Sequence, residues 1–226
     1  MPSPPEYAII VAGGKGLRMG GDQPKQFINL NGLPIILHTI NAFYQYSQDL
    51  QLVLVLPNDH ISRWDEIKEK YQVKSNVKVC SGGDTRTASV RNGLAVIGSE
   101  GLVAIHDAVR PLITPDVIGA SFESARDYGS GIAAVALKDS IRQVISENGS
   151  HSVDREQYRL VQTPQTFSLK AIKAAYQVFP SEDFSDDATV FEKAGNSVCL
   201  VNGSYNNFKI TTEEDLVLAR LLLEKE

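Results

Sequence analysis

The sequence contains only two cysteines in 226 residues, Cys80 and Cys199, and no cysteine–histidine spacing typical of a zinc site. Two cysteines this far apart are more typical of buried thiols in a reducing compartment than of a disulfide. No apolar run approaches the roughly 18 residues of a membrane-spanning helix. The first residues also lack the basic and apolar segments of a secretory signal. We therefore expect a soluble cytoplasmic protein that does not bind a membrane.

The chain also lacks an excess of positive charge. Its 22 lysines and arginines are outnumbered by 27 aspartates and glutamates, which gives a net charge of −5 at pH 7. Polymeric nucleic acids are bound through long basic surfaces, so this composition argues against such a partner. Any anionic ligand must instead be bound by cations that the fold gathers locally.

The length leaves room for one large domain or two small ones. The sequence contains no internal repeat, no low-complexity run and no stretch typical of an interdomain linker. We therefore predict a single domain that covers residues 1–226.

Apolar runs of strand length alternate with helix-period segments over the first 135 residues. This alternation is typical of an α/β fold with a parallel sheet covered by helices on both faces. Ligands of such sheets bind beyond the carboxyl ends of the strands, so residues there are the candidates for function. The predicted strands cover residues 7–11, 52–56, 77–80, 103–106, 132–136, 197–201 and 208–210. The predicted helices begin near residues 60, 84, 114, 169, 186 and 211, the last with a capping box at residues 211–214.

The alternation stops after Ala136. Residues 139–145 and 153–161 have an extended pattern, and the Glu-Asn-Gly-Ser sequence at 147–150 is a candidate hairpin turn. We predict a protruding β-arm over about residues 137–158. Because an isolated two-stranded hairpin is marginally stable, we expect this arm to rest on a second subunit.

Residues 12–27 form the most glycine-rich segment, with five glycines and three cations, Lys15, Arg18 and Lys25, directly after the first predicted strand. Glycine lets backbone N–H groups turn towards phosphates, and the cations add full positive charge. The segment matches neither the Walker pattern nor the complete dinucleotide fingerprint. A triphosphate loop is favoured over a mobile surface loop. Its candidate nucleotide-binding residues are Ala12, Gly13, Gly14, Lys15 and Gly16.

Two further segments follow predicted strands. Gly83 and Asp84 precede a helix that carries Ser89, so backbone amides and a hydroxyl could read a base there, although Asp84 could equally be an ordinary N-cap. Asp107 ends an apolar strand, where a carboxylate is well placed to hold Mg²⁺, and Arg110 follows three residues later. The alternative is that Asp107 and Arg110 simply pair with each other. The adjacent His106 is more typical of a packed histidine than of a base.

Several later residues have an ordinary structural interpretation when each is taken alone. Arg155 lies in the predicted arm, Ser185 precedes two aspartates that could cap a helix, and Lys209 could be an exposed strand residue. The spacing of these residues alone assigns no chemistry to them.

Together, these segments resemble the 2-C-methyl-D-erythritol 4-phosphate cytidylyltransferases of the non-mevalonate isoprenoid pathway. The resemblance extends over about residues 6–225, with the motifs in matching order. It implies a Rossmann-like nucleotidyltransferase fold, with a mostly parallel sheet flanked by helices, and a homodimer whose β-arms interlock. It also implies that CTP and methylerythritol phosphate react, with Mg²⁺, to give 4-diphosphocytidyl-2-C-methyl-D-erythritol and pyrophosphate. The segments that carry the resemblance are residues 12–25, 83–89, 106–111, 153–155, 163–165 and 207–211.

The resemblance also implies a role for each candidate residue. Arg18 and Lys25 correspond to the pair that stabilises the pentacoordinate transition state at the α-phosphorus. Asp107 corresponds to the metal-site acid. The residues that correspond to the cytosine-reading segment are Gly83, Asp84 and Ser89. The residues that correspond to those holding the attacking phosphate are Lys209 and, from the partner subunit, Arg155. Those expected in the same substrate pocket are Arg110, Ser140, Thr163 and Ser185.

Two positions depart from the family pattern, because Gly13 and Lys15 stand where members often have alanine and an apolar residue. This version of the loop also resembles sugar-phosphate nucleotidyltransferases and the ribitol 5-phosphate cytidylyltransferases. The order Asp154-Arg155, and the pair Asp84 and Ser89, favour the methylerythritol enzymes. The alternatives are therefore the same chemistry on ribitol 5-phosphate, and a non-catalytic subunit that binds nucleotide without needing Arg18 and Lys25 together.

Overall fold

The computed structural model describes residues 4–13, 24–73 and 76–224. Its strands are β1 (Glu6–Val11), β2 (Asn29–Leu30), β3 (Leu33–Pro34), β4 (Gln51–Leu56), β5 (Val77–Ser81), β6 (Leu102–Asp107), β7 (Ser130–Ala136), β8 (Arg142–Ser146), β9 (Gly149–Ser152), β10 (Arg159–Ser168) and β11 (Leu200–Asn202). Its α-helices are α1 (Ile35–Tyr46), α2 (Ile61–Lys70), α3 (Arg86–Ala95), α4 (Pro115–Tyr128), α5 (Leu169–Val178), α6 (Asp187–Lys193) and α7 (Glu213–Leu223).

Seven strands form one twisted sheet in the order β11-β7-β10-β6-β1-β4-β5. Neighbouring strands run parallel except at β10, which is antiparallel to both β6 and β7. All residues of β6 are buried, as expected for a strand covered on both faces. The predicted α/β class with a mostly parallel sheet is confirmed.

Helices cover both faces of this sheet. On one face Phe43 of α1, Trp64 of α2 and Phe122 of α4 pack in one apolar core. On the other, Val90 of α3 and Tyr176 of α5 pack in a second core with residues of α6. The two cores fix the sheet between them, so the strand ends form a stable edge on which side chains can be placed.

Several elements differ from the sequence prediction, which also contained neither β2 nor β3. No strand forms at residues 208–210, whose chain instead bonds to the β6–α4 connection through the Ile210 amide and the Val109 carbonyl at 2.9 Å. Strand β10 was predicted to end at Val161, because its later residues are mostly polar, although they are buried. Helix α1 was missed because its own apolar residues occupy most of its circumference, so the amphipathic period is hard to see in the sequence.

Helix starts also differ by one residue from the predicted caps. Thr85, not Asp84, caps α3 by accepting a hydrogen bond from the Ala88 amide. The capping box of α7 is formed by Thr212 and Asp215, one residue beyond the predicted 211–214. In both cases the hydroxyl of threonine accepts from the third residue of the helix, so the predicted mechanism holds with a shifted register.

The hairpin of β8 and β9 lies at the position of the predicted arm. These two strands pair with each other and belong to no other described sheet. Val144 and Ile145 are 75% and 65% exposed. An exposed pair of apolar side chains on a separate hairpin is typical of a surface that another molecule covers.

Cys80 and Cys199 are both free thiols, as predicted, but both are half-buried rather than buried. Among the described residues, no helix combines the length and the apolar character needed to cross a membrane.

Candidate active site

A pocket of about 250 Å³ opens beyond the carboxyl end of β6. Strand β10 brings its first half to the same edge, because it runs against its neighbours. The residues that line this cationic pocket are Arg86, Asp107, Arg110, Val161, Gln162, Thr163, Gln165, Ser185, Asp186 and Lys209. Five of them are predicted site residues: Asp107, Arg110, Thr163, Ser185 and Lys209. The sequence prediction therefore brought together residues that the fold collects in one place.

Asp107 lies at the centre of the cationic pocket. Its Oδ2 is 3.1 Å from Lys209 Nζ and 3.5 Å from Arg110 Nε, and its Oδ1 is 3.3 Å from Arg86 Nε. Three cations from separate parts of the chain thus share one carboxylate. The predicted pairing of Asp107 with Arg110 is present, but it is one of three such contacts.

These neighbours decide the charge of Asp107. Burial by itself would raise the pKa of this carboxyl, but Arg86, Lys209 and Arg110 outweigh it and hold the pKa well below its ordinary range. Asp107 is therefore ionised at neutral pH. The pocket lining carries three cations and two carboxylates, Asp107 and Asp186, so it keeps a net positive charge, which suits an anionic ligand.

Arg110 and Lys209 are positioned by one segment, residues 207–211. Arg110 Nη1 donates to the Asn207 carbonyl at 2.8 Å, and Asn207 Nδ2 donates to the Thr163 carbonyl at 2.8 Å. Asn207 is fully buried. This irregular segment is therefore held across the sheet edge by side-chain bonds rather than by strand pairing. Its apolar residues give it the pattern of a strand in the sequence.

His106 is a packed histidine, as the sequence indicated. Thr163 Oγ1 accepts from the Asp107 amide at 3.1 Å and lies 3.1 Å from His106 Nδ1, while His106 Nε2 lies 3.2 Å from the Arg110 carbonyl. Burial lowers the pKa of His106 to about 4. The neutral ring thus donates from Nε2 and accepts the Thr163 hydroxyl at Nδ1, and it braces Thr163 and Arg110 from behind the pocket.

The lining residues that were not among the predicted site residues are Arg86, Val161, Gln162, Gln165 and Asp186, and Arg86 is the cation among them. It bridges Asp107 and, through Nη2 at 2.7 Å, the fully buried Asp187. A signal was available: Arg86 is the first residue of α3, where the helix dipole disfavours a cation. A cation at such a position indicates a carboxylate partner elsewhere in the fold.

Those candidate nucleotide-binding residues that the structure describes lie where β1 ends and where β5 leads into α3. The turn at residues 82–85, here called the glycine turn, connects β5 to α3. Ser89 Oγ accepts from the Gly83 amide at 3.1 Å and donates to the Thr85 carbonyl at 2.9 Å, so it fixes the shape of this turn. A Cβ added to Gly13, after β1, would lie 3.0 Å from Ser89 Oγ. The two glycine-containing connections are therefore adjacent.

Lys25 and Gln26 connect the predicted triphosphate loop, residues 12–27 and here called the phosphate loop, to the rest of the site. Lys25 Nζ donates to the Thr211 carbonyl at 2.7 Å, two residues after Lys209. Gln26 Nε2 donates to the Ala12 carbonyl at 3.1 Å. Both residues are buried. The end of the loop is thus attached both to β1 and to the segment that carries Lys209.

Two predicted site residues, Ser140 and Arg155, lie outside the cationic pocket of their own chain. Arg155 Nη1 donates to the Lys138 carbonyl at the base of the arm, at 2.6 Å, and both predicted residues are exposed. The expectation that Arg155 serves a partner subunit stays a prediction. Four other predicted residues, Gly14, Lys15, Gly16 and Arg18, lie outside the described residues.

The fold and the site together define a class of protein. Glycine-containing connections at the carboxyl edge of a mostly parallel sheet, beside a cationic pocket, are the features of an α/β nucleotidyltransferase. The family model for 2-C-methyl-D-erythritol 4-phosphate cytidylyltransferase matches residues 7–225. The chain belongs to this family.

Curated relatives and solved structures carry the same name. The cytidylyltransferase of Porphyromonas gingivalis is 46% identical over 218 residues, which cover 96% of this chain and 97% of that protein. That of Phocaeicola vulgatus is 43% identical over 217 residues, covering 96% and 99%. The crystal structure of 4-diphosphocytidyl-2C-methyl-D-erythritol synthase from Anaerococcus prevotii superimposes with a TM-score of 0.85 at 30% identity, over 97% of this chain and 96% of that one. The resemblance inferred from the motifs is confirmed.

Proposed function

We propose that this enzyme transfers the cytidylyl group of CTP to the phosphate of 2-C-methyl-D-erythritol 4-phosphate in the non-mevalonate pathway. A phosphate oxygen of the polyol phosphate bonds to the α-phosphorus of CTP, and the bond from that phosphorus to the α–β bridging oxygen breaks. The products are 4-diphosphocytidyl-2-C-methyl-D-erythritol and pyrophosphate. The observation that carries the proposal is the cationic pocket directly beside the glycine turn, in a chain of this family.

The chemistry asks for cations rather than for a base. Both reactants are anions, so catalysis must reduce their repulsion and hold the attack in line. A phosphate dianion is already deprotonated near pH 7, so no proton has to be removed from it. The neutral, buried His106 agrees with this requirement, because it is occupied in bracing the pocket.

We assign the cations to the two reactants according to where they lie. Arg110 and Lys209 line the cationic pocket and are assigned to the attacking phosphate. Lys25, at the end of the phosphate loop, is assigned with Arg18 to the charge that develops at the α-phosphorus. Lys25 donates to the segment that carries Lys209, so these two lysines are linked through that segment. The glycine turn and Ser89 are assigned to the cytosine.

Mg²⁺ is proposed to enter with the triphosphate of CTP. Asp107 is a single carboxylate that three cations already contact. Within the described part of the chain, no three His, Cys, Asp or Glu side chains form a cluster able to hold a metal. The residues present therefore do not fit a resident metal site, whereas Mg²⁺ in such enzymes is commonly bound by substrate phosphates and waters with one or two carboxylates. The predicted contact between Asp107 and Mg²⁺ stays a prediction.

A homodimer through the β-arm is proposed as the active form. The arm exposes Val144 and Ile145, and Arg155 at its base does not reach the cationic pocket of its own chain. A second copy would cover the apolar pair and bring Arg155 and Ser140 to the neighbouring pocket. The cytoplasmic location stays a prediction, with which the two free thiols agree.

The test is pyrophosphate release from CTP with methylerythritol phosphate, with ribitol 5-phosphate, and with no polyol phosphate. We expect release with the first substrate only. Turnover with ribitol 5-phosphate alone would establish the ribitol alternative, and tight CTP binding without turnover on either substrate would establish the non-catalytic one.

Lys209→Ala supplies a matched test of the pocket. We expect the KM for methylerythritol phosphate to rise about tenfold or more, because a charge-assisted contact to phosphate is lost. The control is Lys193→Ala, since Lys193 is also a partly exposed lysine near a carboxylate, Glu182, but does not line the pocket. Equal KM values in the two variants would contradict the assignment of Lys209.

A further inference from the structure

Arg86 connects the two halves of the site through its side chain. It is the first residue of α3, directly after the glycine turn, so its backbone belongs to the nucleotide side. Its guanidinium reaches the pocket side, where Nε lies 3.3 Å from Asp107 Oδ1 and Nη2 lies 2.7 Å from Asp187 Oδ2. Both of these contacts are to carboxylates of the protein, so the guanidinium is held by the protein itself.

A second layer of residues fixes this guanidinium. Tyr176 of α5 donates to Asp187 Oδ1 at 2.6 Å, and Asp187 is fully buried. Burial by itself would lower the pKa of Arg86, but Asp187 and Asp107 outweigh it and raise that pKa above its ordinary value. The guanidinium is therefore a permanent charge whose position is set by two carboxylates, Asp107 and Asp187, the second of which is held by Tyr176.

Further hydrogen bonds beside Arg86 and Asp187 hold the segment that carries Ser185. Thr87, next to Arg86, accepts from the Phe184 amide at 2.9 Å. On the other side of Ser185, Gln165 Oε1 accepts from the Asp187 amide at 3.0 Å. The start of α3 and the pocket strand β10 thus hold residues 184–187 between them.

We propose that Arg86 is a positioning residue that keeps the glycine turn and the cationic pocket in one arrangement, and that Asp187 and Tyr176 hold it there. This inference rests on the proposed function. Arg86 occupies Oδ1 of Asp107, which leaves Oδ2 to Lys209 and Arg110. Without Arg86, Asp107 is no longer held on its Oδ1 side. The carboxylate then no longer fixes the positions of the two pocket cations, Lys209 and Arg110. The attacking phosphate is then bound in a less productive position, whereas CTP contacts on the turn remain.

The test compares Arg86→Lys and Tyr176→Phe with the wild type in steady-state kinetics, CTP binding and thermal unfolding. Lysine keeps the charge but not the fork that spans two carboxylates. We expect Arg86→Lys to raise the KM for the polyol phosphate about tenfold or more and to lower kcat, because small misplacements at a reacting centre are costly. The dissociation constant of CTP should change less than about threefold. Tyr176→Phe should raise the same KM by about two- to fivefold, since it removes one hydrogen bond from Asp187.

The matched control is Arg91→Lys. Arg91 lies on the same helix, donates to the Phe179 carbonyl at 3.0 Å and lies over the ring of Tyr176, but it does not line the pocket. We expect Arg91→Lys to lower thermal stability without changing the ratio of the KM for the polyol phosphate to the dissociation constant of CTP. The assays use whichever polyol phosphate the wild-type enzyme accepts, so failure with methylerythritol phosphate overturns the proposed function alone.

Two outcomes would overturn the inference. If Arg86→Lys behaves like Arg91→Lys, with parallel changes in stability and in both substrate constants, Arg86 is merely structural. If Arg86→Lys raises the KM for the polyol phosphate while Tyr176→Phe leaves it unchanged, Arg86 contacts the substrate directly and is not a positioning residue.

Discussion

Asp107 shows how one side chain can organise an anion site without binding the anion. Arg86, Arg110 and Lys209 repel one another, and their shared carboxylate reduces that repulsion while the pocket as a whole stays positive. An incoming phosphate can then replace Asp107 as the partner of Lys209, which is the most exposed of the three, at 44%. The Asp107 carboxylate would therefore pair with Lys209 until the substrate phosphate takes its place.

Lys25 differs from these residues because it is almost fully buried and donates to a backbone carbonyl. We expect Lys25→Ala to lower kcat roughly 100-fold or more, with a much smaller effect on CTP affinity, as for the loss of a transition-state contact. Single-turnover kinetics and CTP binding isotherms measure the two effects. Lys78→Ala is the control, since Lys78 also donates to a carbonyl, that of Val96, at 2.7 Å but lies outside the pocket lining. Equal losses of turnover and CTP affinity would count against the assigned role.

Val161 is the apolar member of the pocket lining described here. If it packs against the branched methyl group of the substrate, Val161→Thr should lower the preference for methylerythritol phosphate over erythritol 4-phosphate about fourfold, the worth of one buried methyl group. The ratio of the two kcat/KM values is the measurement. Val178→Thr, on an exposed face of α5, is the control. An unchanged ratio in Val161→Thr would show that the methyl group is recognised elsewhere.

At the scale of the element, the glycine turn depends on the close approach of its backbone to α3. A Cβ on Gly83 would lie 2.5 Å from the Ala88 Cβ and 3.1 Å from the Ala88 carbonyl carbon, which are atoms that cannot move independently of the helix. The sequence pattern pointed to this turn as a ligand site. The structure adds that its conformation is set by the helix behind it and by Ser89.

We expect Gly83→Ala to weaken CTP binding and to lower the free energy of unfolding by about 1–3 kcal/mol, as for overpacking. Gly119→Ala in α4 is the matched control, because a Cβ there would make an ordinary contact, at 3.4 Å, with Tyr46. That change should stabilise the protein by about 0.5–1 kcal/mol, since alanine is the better helix former. Denaturant unfolding and CTP titration test both variants. If Gly83→Ala bound CTP with wild-type affinity, the assignment of this turn would be wrong.

At the scale of the whole molecule, the question is whether each site is built from two chains. Near the wild-type KM for the polyol phosphate, where both variants turn over slowly, we expect a mixture of Lys209→Ala and Arg155→Ala subunits to be more active than either variant alone. If Arg155 acts across the dimer, each mixed dimer contains one intact site, and random mixing gives roughly a quarter of the wild-type rate. Pyrophosphate release after mixing and reassembly is the measurement.

The control for this experiment mixes Lys209→Ala with Arg110→Ala. Both of these residues line the pocket of the same chain, so no mixed dimer has an intact site and no activity should return. Recovery in the first mixture and not in the second supports a shared site. Absence of recovery in both would show that Arg155 serves its own chain or none.

The order of the elements could be predicted from the sequence because strands covered on both faces are continuous apolar runs. The runs at β1, β4 and β6 were recognised for this reason, and so was the site at Asp107, which directly follows such a run. Strand β10 and helix α1 were not recognised. The buried half of β10 is largely polar, and its residues Gln162, Thr163 and Gln165 are stable there only because distant segments bond to them.

The sequence by itself determined the fold class, the family and half of the pocket residues, because short motifs with glycine, cations and strand-end acids survive as local patterns. Only the tertiary structure decided which charges share a carboxylate. Arg86, Asp187 and Tyr176 are far apart in sequence, and their contacts exist because α3, α5 and α6 pack on the same face of one sheet. Such pairings depend on packing rather than on local propensity, so no pattern along the chain contains them.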